Sequence, residues 1–320
     1  MANLFKIREL PIILFCLIVI IIFSVISQNF FTFKNFSLLF SQVTVLGLIS
    51  IGMLMVILLG GIDLSVGSVL AVSATVVGTL VNSGFNPITA AIISILLGGV
   101  LGAFNGFFIT RFKIPDIIVT LATMFIYRGV AVGISKGDWV TNFPDSFNIF
   151  ARGKVLGIPL QLLIFLIALC IFGYILKHSS FGRRIYAMGG NYNASKLSGI
   201  PVKKTKFTLY LLSGMLTSIA GVIYASEVGS VQAATAGKDI AFLVIAAVLV
   251  GGASIFGGVG TVLGTFFGVL LMGIIENGLI LIQASVYWID ATTGFILIMA
   301  IIMNTVQRSR DSMSRERELV

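Results

Sequence analysis

The chain has few charged residues, two cysteines and a single histidine. Of its 320 residues only 10% are Asp, Glu, Lys or Arg, whereas a soluble domain carries about 25%. Cys16 and Cys170 both lie in apolar runs without a partner motif, which predicts no disulfide, metal site or redox role. Because His178 is the sole histidine and no GxxxxGK[ST], GxSxG or HExxH pattern occurs, the sequence predicts neither ATP hydrolysis nor another catalytic centre in this chain.

Apolar sequence dominates the chain instead. The hydrophobic fraction is 58% and the mean hydropathy is +1.09. A spanning helix needs about 20 mostly apolar residues, and this length predicts one all-α polytopic membrane domain over residues 1–320 with ten transmembrane helices. The predicted helices cover residues 10–27, 38–59, 64–82, 88–109, 116–134, 159–176, 207–226, 240–257, 261–282 and 287–306.

The positions of the positive charges predict the orientation of these helices. The net charge of +9 does not indicate nucleic-acid binding, because the cations lie in loops between apolar runs and cytoplasmic loops are rich in Lys and Arg. With both termini placed in the cytoplasm, the cations assigned to that side are Lys6, Arg8, Arg111, Lys113, Lys177, Arg183, Arg184, Lys196, Lys203, Lys204, Lys206, Arg308, Arg310, Arg315 and Arg317. Those left on the outer side are Lys34, Lys136, Arg152, Lys154 and Lys238.

The longest polar interruption, residues 177–206, is strongly basic and contains no Asp or Glu. Gly182 and the pair Gly189-Gly190 are predicted to break the chain there, and Asn191 to cap a short helix over residues 193–197. The segment is therefore predicted to form a small helix across the inner face of the membrane. A purely solvated loop is the alternative.

Two segments, 58–72 and 249–263, match each other when the sequence is compared with itself. Both follow an apolar run oriented from outside to inside, which predicts a repeat of parallel topology about an axis along the membrane normal; chance matching of glycine-rich sequence is the alternative. The matched glycines are Gly60, Gly61 and Gly67 with Gly251, Gly252 and Gly258. Broken segments are tolerated in a membrane only against protein or a water-filled path, so these breaks predict a central pathway.

A few ionisable residues lie within or beside the predicted helices. Asp63 follows the first break, where it could accept from the amides of Ser65 and Val66 as a helix cap or contact a substrate. Glu276 falls in the middle of a predicted helix and is expected to face the bundle interior or a subunit interface. Arg128 and Asp290 lie near outer helix ends, where they could reach the headgroups.

Three stretches carry a resemblance to a known family: GGIDLSVGS at residues 60–68, FGRRIYAMGGNYNASKLSGI at 181–200 and VLVGGASIFGGVGTVLGT at 248–265. Together they resemble the permease subunits of bacterial ribose-type sugar ABC importers, a family that includes permeases for ribose, xylose, galactose, allose and the autoinducer-2 signal. The resemblance implies a multi-pass permease of the bacterial inner membrane that translocates a monosaccharide or related sugar.

The resemblance also implies partners and site residues. The pore would be a homodimer or heterodimer, fed by a periplasmic sugar-binding protein and driven by a cytoplasmic ATPase with two fused nucleotide-binding halves, which would bind the ATP and Mg²⁺. The family's ATPase-coupling helix matches Tyr186, Gly189, Gly190, Asn191, Ala194, Leu197, Ser198 and Gly199, with departures at Tyr192 and Lys196. Residues expected at the pathway or the dimer axis are Gly61, Asp63, Ser65, Gly67 and Ser68, together with Gly251, Gly252 and Gly258 of the second repeat segment.

Two other classes of transporter remain as alternatives. A branched-chain amino-acid ABC permease shares the architecture, although the 60–68 stretch fits the sugar group better. A secondary transporter or channel should carry paired acidic or histidine relays in its helices, whereas this chain offers only the isolated Asp63 and Glu276. The sequence does not identify the sugar.

Overall fold

The computed structural model describes residues 9–318, with side chains described over 9–285 and 287–306; Lys6 and Arg8, predicted to be cytoplasmic, lie outside the described residues. The described chain is predominantly helical, which confirms the all-α class. The helices are α1 Leu10–Ile26, α2 Phe33–Leu58, α3 Val66–Asn82, α4 Pro87–Phe112, α5 Asp116–Ser135, α6 Ile149–Arg152, α7 Leu160–His178, α8 Ser180–Gly190, α9 Tyr192–Leu197, α10 Val202–Val228, α11 Ile240–Val250, α12 Val262–Leu281 and α13 Val286–Glu318.

Within the described residues, seven helices are long and apolar enough to cross a membrane: α2, α4, α5, α7, α10, α12 and Tyr287–Val306 of α13. Three further apolar helices, α1, α3 and α11, are shorter. These helices fall where the sequence predicts transmembrane segments. Two bounds differ most from the prediction: α13 continues to Glu318 rather than ending at 306, and α11 ends at Val250 rather than 257, because Gly252 takes a positive φ of 87° just beyond it.

Two faces of the bundle are distinguished by what joins the helices. One face carries α8, α9 and the breaks at residues 59–65 and 251–261, and we call it the junction face. The opposite face, which we call the hairpin face, carries two antiparallel strand pairs. These are β1 Trp139–Val140 with β4 Val231–Gln232, and β2 Lys154–Val155 with β3 Ile158–Pro159.

Glycine allows the central helices to approach closely. On α4, Gly98 and Gly102 lie against the backbone of α10, where a Cβ on Gly102 would collide with the carbonyl oxygen of Tyr210. On α2, a Cβ on Gly52 would come within 2.9 Å of the Ser213 hydroxyl. Small residues are the usual means by which membrane helices pack, because lipid offers no hydrophobic drive toward association.

The helices α2–α5 and α10–α13 pack in the same pattern. Helix α2 packs against α10, α11 and α12, just as α10 packs against α2, α3 and α4. Likewise α3 packs against α4 and α5, as α11 does against α12 and α13. Because Gly52 faces Ser213 and Gly61 faces Tyr210, α2 and α10 run antiparallel, so the two halves are inverted with respect to each other.

This packing corrects the predicted parallel repeat. Segments 58–72 and 249–263 do each contain a helix, a break and a second helix, but the second break, 251–261, is longer than the first, 59–65. The pairing of Gly67 with Gly258 is therefore wrong: Gly67 lies inside α3, whereas Gly258 lies in a loop at φ 75°. The two glycines serve different needs, since Gly67 admits the carbonyl of Gly237 and Gly258 adopts a left-handed backbone.

Candidate functional site

Three segments that are far apart in the chain meet at the junction face. The amide of Gly258 donates to the carbonyl of Leu58 at 2.8 Å, and a Cβ on Gly189 would collide with both of these backbones. The hydroxyl of Tyr186 donates to the carbonyl of Gly260 at 2.8 Å. We call this contact of residues 58–61, 189–190 and 257–260 the glycine junction.

Glycines in α8 allow other segments of backbone to approach this helix closely. The predicted break at Gly182 is wrong, because Gly182 lies inside α8. The predicted break at Gly189-Gly190 is confirmed, because α8 ends at Gly190 and α9 begins at Tyr192. A Cβ on Gly182 would collide with the carbonyl of Leu176. The helix therefore needs glycine where another backbone lies against it.

Helix α9 is the short helix predicted after Asn191. The Asn191 Oδ1 accepts from the amide of Ala194 at 2.9 Å, as a cap should, and Gly199 ends the segment at φ 78°. Ser195 is buried, whereas the other α9 residues are exposed; the exposed fraction of Leu197 is 89% and that of Tyr192 is 52%. The helix thus projects from the bundle beside the glycine junction and presents apolar side chains.

The predicted coupling residues lie partly at the glycine junction and partly on α9. Gly189 and Gly190 are part of the glycine junction, and Tyr186 donates a hydrogen bond to it. Ala194, Leu197, Ser198 and Gly199 are exposed on α9 or just after it.

Asp63 caps a turn in the protein core. Its Oδ1 accepts from the amide of Ser65 at 2.9 Å and from the Ser65 hydroxyl at 2.6 Å, and only 3% of the residue is exposed. The Ser65 hydroxyl in turn accepts from Asn105 at 2.8 Å, and Asn105 accepts from the Tyr127 hydroxyl at 3.0 Å. The predicted contact with the Ser65 amide is confirmed, and the network ties the start of α3 to α4 and α5.

A second polar cluster next to the first break was not predicted. Lys206 donates to Asp116 Oδ1 at 2.6 Å, and the Tyr210 hydroxyl donates to Asp116 Oδ2 at 2.8 Å. The Asp116 carboxylate lies so close to Gly61 that a Cβ there would collide with it. In the sequence Lys206 counts only as one cation of a basic loop, and its pairing with α5 has no local signal.

Arg128 holds an inward-turned segment rather than reaching a headgroup. Its guanidinium donates to the carbonyls of Ala233 and Ala236 at 2.8 and 2.6 Å. These residues belong to segment 229–239, which joins α10 to α11 and whose Gly237 lies against Gly67. The expectation that Arg128 extends toward the membrane surface is therefore corrected.

The residues predicted for the pathway or dimer axis do not form one site. Gly61, Asp63, Ser65, Gly67 and Ser68 lie among α3, α4, α5 and α10. By contrast, Gly252 and Gly258 line a cavity of about 1390 Å³ beside α1 and α13, whose wall includes Phe15, Phe256 and Met299. Gly251 packs against the backbone of Gly264 on α12.

Glu276 is half-buried on α12, and Asp290 is exposed on α13. The neighbour of Glu276, Asn277, exchanges two hydrogen bonds of 2.9 Å with Asn35 of α2. Such reciprocal amide pairing satisfies both buried side chains.

A bundle of apolar helices with inward-turned breaks, a glycine junction and a projecting helix at one face has the architecture of a multi-pass membrane protein. Residues 35–301 match the family described as branched-chain amino acid transport system / permease component. The chain is 39% identical over 289 residues to the ribose import permease RbsC of Bacillus subtilis, covering 90% of this chain and 89% of that one. It is 37% identical to RbsC of Escherichia coli K12, covering 90% and 91% of the two chains.

A third relative is the autoinducer 2 import permease LsrC of Photorhabdus luminescens, 32% identical over 93% of this chain and 89% of the relative. No solved structure matches the chain. The chain belongs to the ABC importer permease family, and it is a membrane-spanning permease subunit for import of a monosaccharide or related sugar. These relatives favour the sugar group over the branched-chain amino-acid alternative, and they place the protein in the bacterial inner membrane.

Proposed function

We propose that a cytoplasmic ATPase docks on α8 and α9 and drives transport through the glycine junction. The observation that carries this proposal is that one segment, Gly189-Gly190, lies against both helix breaks. A displacement of α8 would therefore reach α2 and the 251–261 loop together. The exposed Leu197 and Tyr192 of α9 offer the apolar contacts that a docking surface needs.

The remaining parts of the assembly follow from this arrangement. The ATPase, with two fused nucleotide-binding halves, binds ATP and Mg²⁺, while a periplasmic sugar-binding protein delivers its sugar to the hairpin face. A second permease, either another copy or a paralogue, completes the pore. The ten apolar helices make ten membrane passes, the shorter α3 and α11 together with the inward-turned segments beside them, and both termini are cytoplasmic. This orientation is supported by the basic residues of the junction face.

The substrate is a sugar of the ribose type. Support comes from the relatives named for ribose import, which are more similar to this chain than the one named for autoinducer 2. Asp63 has the structural role of a cap, because its carboxylate is buried and bonded to Ser65. The pathway itself is formed together with the second permease. Within each permease, the small residues Gly61, Gly67 and Ser68 allow the core helices to shift.

Two exposed leucines on opposite faces provide the test of ATPase docking. Leu197→Ser removes an apolar contact from α9, whereas Leu156→Ser makes the same change at a residue that is 99% exposed on the hairpin face. Burying a leucine side chain stabilises an interface by about 1.5–3 kcal/mol, so Leu197→Ser is expected to weaken ATPase binding roughly tenfold or more. The measurement is the affinity of the purified permease for the ATPase; equal affinities for the two variants would refute the docking site.

A further inference from the structure

Helix α5 turns a row of polar groups toward the protein. Asp116, Thr120 and Tyr127 follow one another at helical spacing, and all three are bonded to other helices or breaks. The opposite side of α5 is apolar and exposed, with Leu121 and Phe125. A helix with this pattern is attached to the bundle along one side and free along the other.

The first end of α5 is attached to the break beside the glycine junction. Asp116 bonds Lys206 and Tyr210 of α10 while lying against Gly61. One turn further on, the Thr120 hydroxyl lies within hydrogen-bond distance of two carbonyls, that of Asp116 in its own helix at 2.9 Å and that of Ile62 in the break at 3.1 Å. Break 59–65 is therefore in contact with α5 at two places, Gly61 with the Asp116 carboxylate and Ile62 with the Thr120 hydroxyl.

The far part of α5 is attached to segment 229–239. Arg128, about 18 Å along the helix from Asp116 at 1.5 Å per residue, donates to the carbonyls of Ala233 and Ala236. A guanidinium at this depth is costly unless it is bonded, and ionisable groups within membrane helices commonly mark functional positions. The same segment contacts α3 where Gly237 meets Gly67.

We propose that α5 carries displacement from the glycine junction to segment 229–239, with Asp116 and Arg128 as the positioning residues at its two attachments. The physical reason is stiffness: an α-helix satisfies its backbone hydrogen bonds internally and moves as a unit, whereas the two irregular segments attached to it can change shape. Movement imposed at one attachment thus appears at the other. The inference rests on the proposed docking of the ATPase at α8 and α9.

A cysteine reporter on segment 229–239 measures this transmission directly. Cys16 and Cys170 are replaced by Ala and Ser, and the exposed Ala234 by Cys. The permease is assembled with its ATPase and binding protein in vesicles, and labelling by an impermeant maleimide is timed with and without a non-hydrolysable ATP analogue. The parent protein is expected to show a several-fold nucleotide-dependent change in labelling rate.

Asp116→Asn removes the ion pair that joins α5 to α10 beside break 59–65, and Arg128→Gln removes the guanidinium that joins α5 to segment 229–239. Each is expected to bring the ratio of labelling rates close to one, and the double variant is expected to do no more than either single change, because both interrupt the same route. Exposed cations supply matched controls: Lys203→Gln on α10 and Arg152→Gln on the hairpin face are expected to keep the parent ratio. Thr120→Val, which retains both charges, is also expected to lower the ratio. This variant tests the inference if a charge variant does not assemble with the ATPase.

The outcomes separate this inference from the proposed docking. A parent permease that does not bind the ATPase overturns the docking and the inference with it. If the parent permease binds the ATPase but its labelling rate does not change with nucleotide, the role of α5 alone is overturned. The same follows if Asp116→Asn, Arg128→Gln or Thr120→Val keeps the ratio of labelling rates of the parent. Independent, multiplicative effects of the two charge variants would also overturn it, since they would indicate two separate structural roles.

Discussion

Gly189 and Gly190 are neighbours at the end of α8 but have different surroundings. A Cβ on Gly189 would collide with the Leu58 carbonyl and the Gly258 amide, whereas one on Gly190 would meet no atom within 4 Å. Backbone atoms cannot rotate out of the way as a side chain can. The junction therefore leaves no room for a side chain at Gly189, whereas it leaves room for one at Gly190.

This difference gives a prediction for two alanine substitutions. Gly189→Ala is expected to open the glycine junction, at a cost of about 1–3 kcal/mol, and to weaken coupling of ATP hydrolysis to sugar uptake. Gly190→Ala serves as the matched control and is expected to behave like the parent protein. Coupled uptake in reconstituted vesicles is the measurement, and equal losses in both variants would contradict the contact.

How much of this site could be predicted depends on how local its signals are. The cap of α9 could be predicted, because Asn191 and Ala194 are three residues apart in the sequence. The contacts of Gly189 could not, since its partners Leu58 and Gly258 lie in distant parts of the chain. The pairing of Asp116 with Lys206 was missed for the same reason.

Among the elements, α4 and α10 share the most extensive helix–helix contact of the described residues. Gly102 lies against the carbonyl of Tyr210. A Cβ added to Gly102 would also lie 3.2 Å from the Cα of Gly214. Helix bounds were largely predictable here because apolar length defines them, but the partner of each helix was not. The predicted repeat was wrong because segments 58–72 and 249–263 have similar glycine spacing but contain breaks of different length.

Gly102→Ala is expected to separate α4 from α10 and to lower the midpoint of thermal unfolding of the purified permease. Inserting a methyl group into a packed interface costs about 1–3 kcal/mol. Gly173→Ala on α7 is the control, because a Cβ there meets no atom within 4 Å, and alanine is the better helix former. A midpoint for Gly102→Ala that equals that of Gly173→Ala would argue against close packing of these helices.

At the scale of the whole molecule, the two faces should lie on opposite sides of the membrane. Single cysteines at Ser146 on the hairpin face and at Ser198 after α9, both exposed, are introduced into a protein lacking Cys16 and Cys170. In intact cells an impermeant maleimide is expected to label the cysteine at 146 and not the one at 198. Labelling of both from outside would contradict the proposed orientation.

The central place of α2 has a consequence for how the protein is made. This helix is buried along most of its length, and its packing partners α10, α11 and α12 all follow it in the chain. Residues 59–201 must be synthesised before α10 begins, which takes on the order of ten seconds at ~5–20 residues per second. During that interval α2, with the amide of Asn35 and the hydroxyl of Ser50, awaits its final neighbours, so biogenesis of the permease includes a stage in which its innermost helix borders lipid or an insertion factor.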